Sequence, residues 1–575
     1  MTFDEIKAEW PQTVNLEQNP IAYFCAEYAL SDELPIYSGG LGVLAADVIR
    51  EAAASGVPLV GVGLFYKEGY FTQVITEAGV QDELPAYHDA TRLPIQPVLN
   101  PDGSELHIKL YVSNRIIKVR VWQYKEGSVS VYLLDTDVPD NQDLDRRLTL
   151  SLYPTENEWR IQQEIVLGLG GVKLLNRLGI VPSVYHLNEG HSAFAILEIA
   201  HQHMKHNAVA FPEALAYACD HTVFTNHTLI PSGNDVFNSD VVRRLLGEYA
   251  EHLGFPVDQI IGMGAVPGQP EFFSMTHLAL KASKLVSAVS KTHAQFARVT
   301  WPDAVLTPIT NGVYVPYWQG SMWQGVSDEL SRGLEVEDAE VWRIHMQYKA
   351  ELFEYIRKTT GRVLHERVLT LTWARRIAAY KQPLLLFSDI ARLKTIITSA
   401  TQPVQIVLAG KAHPADSAAK GMITELLHLI QEHGLGEHVV FVPNYNLAVA
   451  RKLVAGSDVW LNTPIKGQEA CGTSGMKSAV NGGLQFAISD GWTDEIDLPK
   501  LGFSISPIDS ATSFYNLLEH SVVPLYYKTN NDGLSEEWIS RMRETLTVVA
   551  RDFSSTRMIR QYIERLYAPI LQESD

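Results

Sequence analysis

Five short apolar runs decide how this chain folds: Val368-Leu-Thr-Leu-Thr372, Val404-Gln-Ile-Val-Leu-Ala409, Val439-Val-Phe-Val442, Val459-Trp-Leu461 and Leu484-Gln-Phe-Ala-Ile488. Apolar residues dominate all five, so each reads as a candidate for a strand buried on both faces, and helical segments separate most of them. That pattern is a parallel sheet covered on both sides. The first half starts the same way. The run Ile21-Ala-Tyr-Phe-Cys25 leads to the turn Ser38-Gly-Gly-Leu-Gly42, a helical segment to about Ser55, and the run Val57 to Tyr66. Strand, turn, helix and strand begin a doubly wound unit.

Between about 106 and 136 the rhythm changes. His107 to Val112, Ile116 to Trp122 and Val129 to Leu134 are joined by short turns, which predicts an antiparallel insertion. Strand and helix alternate again at Val184-Tyr-His-Leu187 and Thr222-Val-Phe-Thr225. The stretch from about 312 to 345 mixes aromatic, glycine and acidic residues without a period and reads as a connection. The segment from about 536 to 572 reads as helical and polar on one face. Two α/β domains follow, 1–312 and 313–540, with a C-terminal helix in 541–575 crossing back to the first. Ligands belong in the cleft between them, at the carboxyl ends of the strands.

A chain of 575 residues is too long for one core. Hydrophobic content of 46% and charged content of 20% describe a globular protein. The net charge of −19, without a Lys/Arg run, argues against a nucleic-acid partner, so any phosphate site must be cationic locally. Cys25, Cys219 and Cys471 are far apart and lack metal-ligand spacing; no metal is expected, and a reducing compartment fits them. Met1 to Trp10 carries no signal-peptide pattern and no apolar run reaches membrane-span length, so the expectation is a cytoplasmic protein without a membrane partner.

The most chemically loaded stretch is Glu469-Ala-Cys-Gly-Thr-Ser-Gly-Met-Lys477-Ser-Ala-Val-Asn-Gly-Gly483. A Gly/Thr/Ser turn opening into a helix presents unpaired N–H groups that bind phosphate. A lysine in the first turn sits where the helix dipole disfavours its charge. Beside a phosphate cradle, such an amine can form a Schiff base with a phosphorylated aldehyde, of which pyridoxal phosphate is the common one. Read alone, the stretch is equally a glycine-rich loop with a surface lysine.

Its company is specific. In order, Ser38-Gly-Gly-Leu-Gly-Val-Leu-Ala45, His186-Leu-Asn-Glu-Gly-His191, Thr225-Asn-His-Thr228, Ile309-Thr-Asn-Gly312, Ala374-Arg-Arg-Ile-Ala-Ala-Tyr-Lys381, Gly410-Lys-Ala-His-Pro414 and Glu469 to Lys477 resemble the motifs of the α-glucan (glycogen, starch, maltodextrin) phosphorylases. The likeness spans roughly residues 20 to 500 and is nearest a short prokaryotic branch. It implies two Rossmann-like domains facing a cleft, of glycosyltransferase-B type, and pyridoxal 5'-phosphate held as an imine on Lys477. It also implies reversible phosphorolysis of a terminal α-1,4-glucosyl residue to glucose 1-phosphate, with retention, and a possible homodimer.

Residue by residue, the resemblance gives the cofactor phosphate the amides of Thr473, Ser474 and Gly475, together with Arg375, Tyr445 and Gly39. It gives the substrate phosphate Arg376, Lys381 and the amide of Gly40. Two adjacent dianions repel, and fixed cations in a dry cleft offset this, arginine as a bidentate fork and lysine as a point charge. His191 matches the family histidine beside the glucosyl ring, where a backbone carbonyl stabilises a developing oxocarbenium ion. Asn311, Glu469, Cys471 and Gly472 match sugar-hydroxyl partners, and His227 reads as scaffold. The cofactor phosphate then works as acid and base through the substrate phosphate, with no carboxylate pair of the kind a glycoside hydrolase needs.

Several positions depart from the pattern. Cys471 stands where serine is frequent, Tyr314 where close relatives often have histidine, Ala378 where long relatives do, and Asn446 where longer relatives carry a basic residue. Segments that bring phosphorylation and nucleotide control to the animal enzymes are missing, so no such control is expected. The rival readings are a nucleotide-sugar α-glucan synthase of the same architecture, which has no use for the lysine, and a silent glucan-binding relative.

Overall fold

Burial of β-branched and aliphatic side chains on both faces of two sheets organises the molecule. The computed structural model describes residues 19–229 and 234–573, so the reading of Met1 to Trp10 lies outside the described residues. It is a mixed α/β structure built on parallel strands.

The sheet of the second half runs Val439–Val442, Val404–Ala409, Leu369–Ala374, Val459–Asn462, Leu484–Ile488, Gly502–Ile505, all parallel. Numbered along the chain this is the order 3-2-1-4-5-6 of doubly wound sheets. Every residue of the Leu369, Val404, Val459 and Leu484 strands is buried, as expected of runs dominated by apolar residues. The sixth strand, Gly502–Ile505, was not anticipated: it opens on glycine and exposes Ser504, so no apolar run marks it.

The sheet of the first half has ten strands. Leu306–Pro308, Leu285–Ala288, Thr222–Asn226, Val184–Asn188, Ile21–Phe24, Leu59–Leu64 and Val129–Asp135 run parallel in that order. Arg115–Glu126 then pairs antiparallel with Val129–Asp135, and His107–Val112 antiparallel with Arg115–Glu126. The short turns force antiparallel pairing, as read from the sequence. Because Val129–Asp135 also joins Leu59–Leu64, these strands extend the main sheet instead of forming a separate layer.

The stretch expected to be a connection is mostly helical: Val315–Trp318, Gln324–Ser331 and the 23-residue helix Asp338–Thr360. The buried residues of the long helix are Val341, Ile344, His345, Lys349, Leu352, Phe353 and Ile356. Two of them are cationic or titratable, and most of the repeat lies beyond residue 345, which hides the helical period. His345 Nε2 and Lys349 Nζ lie 2.6 and 2.5 Å from the Asp458 carboxylate.

The helix Glu536–Asp552 packs Trp538, Met542 and Leu546 into the second core, whereas Phe553, Met558, Ile559, Tyr562 and Tyr567 pack into the first. The crossing falls at Phe553-Ser554, where Val313 and Ser554 form an isolated parallel bridge. Ser555 Oγ donates to Glu51 Oε2 at 2.6 Å, and Tyr567 and His186 share a 2.7 Å hydrogen bond. Among the described residues no helix is long and apolar enough to cross a membrane.

Candidate active site

In the second sheet, Leu369–Ala374 has neighbours entered from opposite directions along the chain, so the loops at the carboxyl ends part and leave a crevice. Arg375 and Arg376 leave this strand, and Asn462 ends the strand beside it. The Arg375 guanidinium spans the crevice. Its Nη1 donates to Asn462 Oδ1 and, at 3.3 Å, to Glu469 Oε2; its Nη2 reaches Ser474 Oγ at 3.3 Å. Lys381 Nζ holds Glu469 at 3.0 and 2.7 Å. Burial works to raise the Glu469 carboxyl, but Lys381 and then Arg375 outweigh it and hold the group below the usual range. Arg376 is exposed, and among the described residues it makes no ion pair; its charge faces Tyr380 and Tyr70.

Lys477 lies in the short helix Ser474–Ala479, with the amides of Thr473, Ser474 and Gly475 at its open end. The amine is buried, 3.3 Å from Thr473 Oγ1 and 4.3 Å from the centre of the Trp318 ring. Its pKa falls to about 8, chiefly because burial disfavours the ammonium form; Asp47 opposes the shift and Arg50 adds to it. Desolvation therefore lowers the amine's basicity at this position. Tyr445, half-buried near Arg375, has its hydroxyl pushed up to about 12 by burial.

In the first sheet, loops diverge in the same way after the neighbouring strands Ile21–Phe24 and Val184–Asn188. Glu27 follows the former. Its Oε2 accepts from the amides of Ser38 at 2.6 Å and Gly39 at 3.2 Å, and its Oε1 from the Tyr153 hydroxyl at 2.7 Å. The amide expected to serve a cofactor at Gly39 thus meets a carboxylate of the chain itself. A side chain at Gly39 or Gly40 would point into open space. After the second strand, Glu189 adopts φ 74°, strained for a non-glycine residue, and is held there because its carboxylate accepts from the amides of Gly190 and His227. His227 Nε2 lies 2.6 Å from Asn188 Oδ1, and burial pulls its pKa to about 3, so the ring is neutral.

The His191 ring packs on Tyr153, with Nε2 3.2 Å from Arg160 Nη2 and 3.3 Å from Asp235 Oδ2. Arg160 binds Asp235 at 2.8 Å and Glu164 at 3.7 Å. Ligand atoms of Glu164, His191 and Asp235 lie within 4.8 Å of one another, a spacing a metal could use. The Arg160 guanidinium already supplies the positive charge there. Burial pushes Glu164 up; burial also acts to raise Asp235, but Arg160 and His191 hold it well below the carboxylate range. Asn311 is buried in the turn Thr310–Gly312, whose carbonyls at Thr310 and Asn311 accept from Arg557 at 2.6 and 3.1 Å. Cys471 is buried with its thiol pushed up by desolvation, and Gly472, at φ 83°, lets the loop turn against the Glu469 side chain.

Arg375, Lys381, Glu469, Ser474 and Tyr445 are therefore brought together, and Lys477 shares the segment of Glu469 and Ser474. The hydroxyls of Tyr380, Tyr70 and Tyr153 act electrostatically on Arg376. His191 stands apart in the Arg160–Asp235 cluster. Sequence reading missed Glu27, Arg160, Asp47 and Trp318. Asp47 did carry a signal, a lone acid inside Val43-Leu-Ala-Ala-Asp-Val-Ile49, an otherwise apolar run.

Residues 329–499 match the carbohydrate phosphorylase family. The maltodextrin phosphorylase of Thermococcus litoralis is 37% identical over 96% of this chain and 71% of its own length. The chain belongs to the phosphorylase family. The glycogen phosphorylase of Mycobacterium tuberculosis is 34% identical over 96% of the chain and 71% of its own length. That of Aquifex aeolicus is 33% identical over 97% of the chain and 87% of its own.

Proposed function

We propose that this chain cleaves terminal α-1,4-glucosyl residues of an α-glucan with inorganic phosphate, reversibly and with retention, giving α-D-glucose 1-phosphate. The two doubly wound halves act as Rossmann-like domains of glycosyltransferase-B type, 1–312 and 313–540, with 541–575 returning to the first. One observation carries the reading. A buried lysine amine of lowered basicity shares a loop with the residues that a cluster of cations, Arg375 and Lys381, engages at the sheet's switch point. A phosphorylated aldehyde fits that donor set, amine at one end and guanidinium with helix-end amides at the other.

Pyridoxal phosphate, when bound, supplies a phosphate group able to exchange a proton with a neighbouring phosphate. The protein does the rest. Lys477 tethers the ring end, and Arg375, Ser474 and the amides of Thr473 and Gly475 orient the phosphate end. Lys381 and exposed Arg376 gather the second anion and lower the repulsion between the two. Gly40 offers an amide with no side chain in the way. Glu469, freed from part of its ion pair as phosphate engages Lys381, turns to sugar hydroxyls with Asn311, Cys471 and Gly472. The Tyr153, His191 and Arg160 cluster closes the first-sheet side, with the His191 carbonyl available to a positive anomeric centre.

Borohydride reduction of cofactor-saturated protein is expected to leave a pyridoxyl mass on the peptide containing Lys477. Phosphate release from glucose 1-phosphate with a maltodextrin acceptor should exceed any transfer from a nucleotide sugar. Full phosphorolytic activity in Lys477→Ala would overturn the reading.

A further inference from the structure

The buried face of the helix Gly40–Ser55 is apolar except for Asp47, Arg50 and Glu51, which are 1%, 5% and 6% exposed; Glu51 is held by Ser555. A carboxylate is left in such a place only if its charge is answered. Both Asp47 oxygens accept from the Trp318 indole N–H, at 3.1 and 2.9 Å, and Oδ1 accepts from Arg50 at 3.2 Å. Arg50 is tied in turn to the carbonyls of Ala29 and Leu30, both at 2.9 Å. The other edge of Trp318 is also fixed. Asn481 Nδ2 donates to the carbonyl of Trp318 at 2.9 Å and to that of Lys477 at 2.8 Å, and Gln319 Nε2 donates to the carbonyl of Val480 at 2.6 Å. One asparagine therefore joins the indole's backbone to the lysine's backbone, and the amine rests over the ring face.

We infer that Asp47 is a positioning residue for Lys477, clamping the Trp318 indole as a flat seat beneath the amine and supplying its opposing charge. The inference rests on Lys477 being the cofactor lysine, but its test does not need the cofactor. A seat fixed from two sides holds the amine in one direction, which an aldehyde entering along the crevice requires. A carboxylate beyond the ring steadies the ammonium form without making the direct ion pair that would stop the amine from reacting. The charged and titratable groups that act on Lys477 are Asp47 and Arg50 from the helix Gly40–Ser55 and Cys471 from its own loop.

The test is competitive acetylation of cofactor-free protein across pH, read by mass spectrometry at the Lys477 peptide, with melting recorded in parallel. Asp47→Asn removes the charge and keeps the shape, so the labelling midpoint should fall by about half a unit or more, making Lys477 roughly threefold more reactive at pH 7. Trp318→Phe keeps a ring and removes the N–H; with the clamp released, its profile should move the same way by about twofold. Profiles matching the wild type in Asp47→Asn, or in Trp318→Phe should the former not fold, overturn the inference. If the profiles shift and yet no pyridoxyl mass ever forms on Lys477, the reading of the cofactor fails while the clamp stands.

Discussion

Replacing Lys381 with methionine isolates one charge at the heart of the site. Lys381 and Glu469 are 11% and 8% exposed, so screening by water is slight. Glu469 keeps Arg375 at 3.3 Å when Lys381 is gone, and the loss is therefore that of two charged hydrogen bonds without a fully orphaned carboxylate. That is about 1.5–3 kcal/mol of stability. The pH dependence has a definite sign. Glu469 has a lowered pKa in the folded protein, so its pairing stabilises fully above the unfolded value, roughly 4.3, and is lost as pH falls through the folded value. The variant's deficit in urea midpoint should be complete at neutral pH and shrink in acid, as Glu469 becomes protonated in both proteins. Phosphorolysis should suffer more than stability. Removing one fixed charge from the phosphate pair should cost about 10²–10³ in kcat/KM, or ~2.7–4 kcal/mol. Initial rates at varied phosphate, with melting checked first, measure it. A folded Lys381→Met enzyme with unchanged kcat and unchanged KM for phosphate would refute the assignment of Lys381 to the substrate anion.

Other consequences can be checked separately. Cofactor uptake by apoprotein requires the neutral amine of Lys477, so its rate, followed by borohydride trapping, should climb as pH rises through about 8 and level off above it; a rate falling over that range would count against Lys477. In Gly312→Ala the new Cβ would land on the Ser554 carbonyl and come within 2.8 Å of the Ser555 amide, both backbone. The crossing between the halves must then shift, at about 1–3 kcal/mol, seen as a lower melting temperature together with a raised KM for glucan. In Gly475→Ala the Cβ meets Gln485 Oε1 at 2.5 Å and the Trp492 ring at 3.1 Å. The short helix should tilt, weakening cofactor retention on gel filtration more than it lowers the melting temperature.

How much of this was legible depends on whether the cause was local. The five strands of the second half declared themselves because burial on both faces leaves them mostly apolar, with only Thr370, Thr372, Gln405, Asn462 and Gln485 as polar residues among them. Gly502–Ile505 did not, since an edge strand with Ser504 exposed carries only half that signal. The helix Asp338–Thr360 was hidden because its buried face includes His345 and Lys349, which are tolerable only because Asp458, more than a hundred residues away, answers both. The site divides the same way. Arg375, Lys381, Glu469 and Lys477 stand in short motifs whose spacing reflects one loop and one strand end. Glu27, Arg160 and Trp318 act across the cleft or between distant segments, and nothing beside them in the sequence announces it.

The carboxylates of the site share a physical reason for being where they are. A buried cation is costly unless an opposing charge lies beside it, and another part of the chain can supply that charge. Glu469 does it for Lys381 and Arg375, Asp235 for Arg160, and Glu27 fills the amides of Ser38 and Gly39. A phosphate that is to reach Lys381 and Arg375, or the amides of Ser38 and Gly39, must displace an internal carboxylate. Affinity for phosphate is then a difference between two anions at one place. Neutralising Glu469 or Glu27 should therefore tighten phosphate binding, even where it slows turnover.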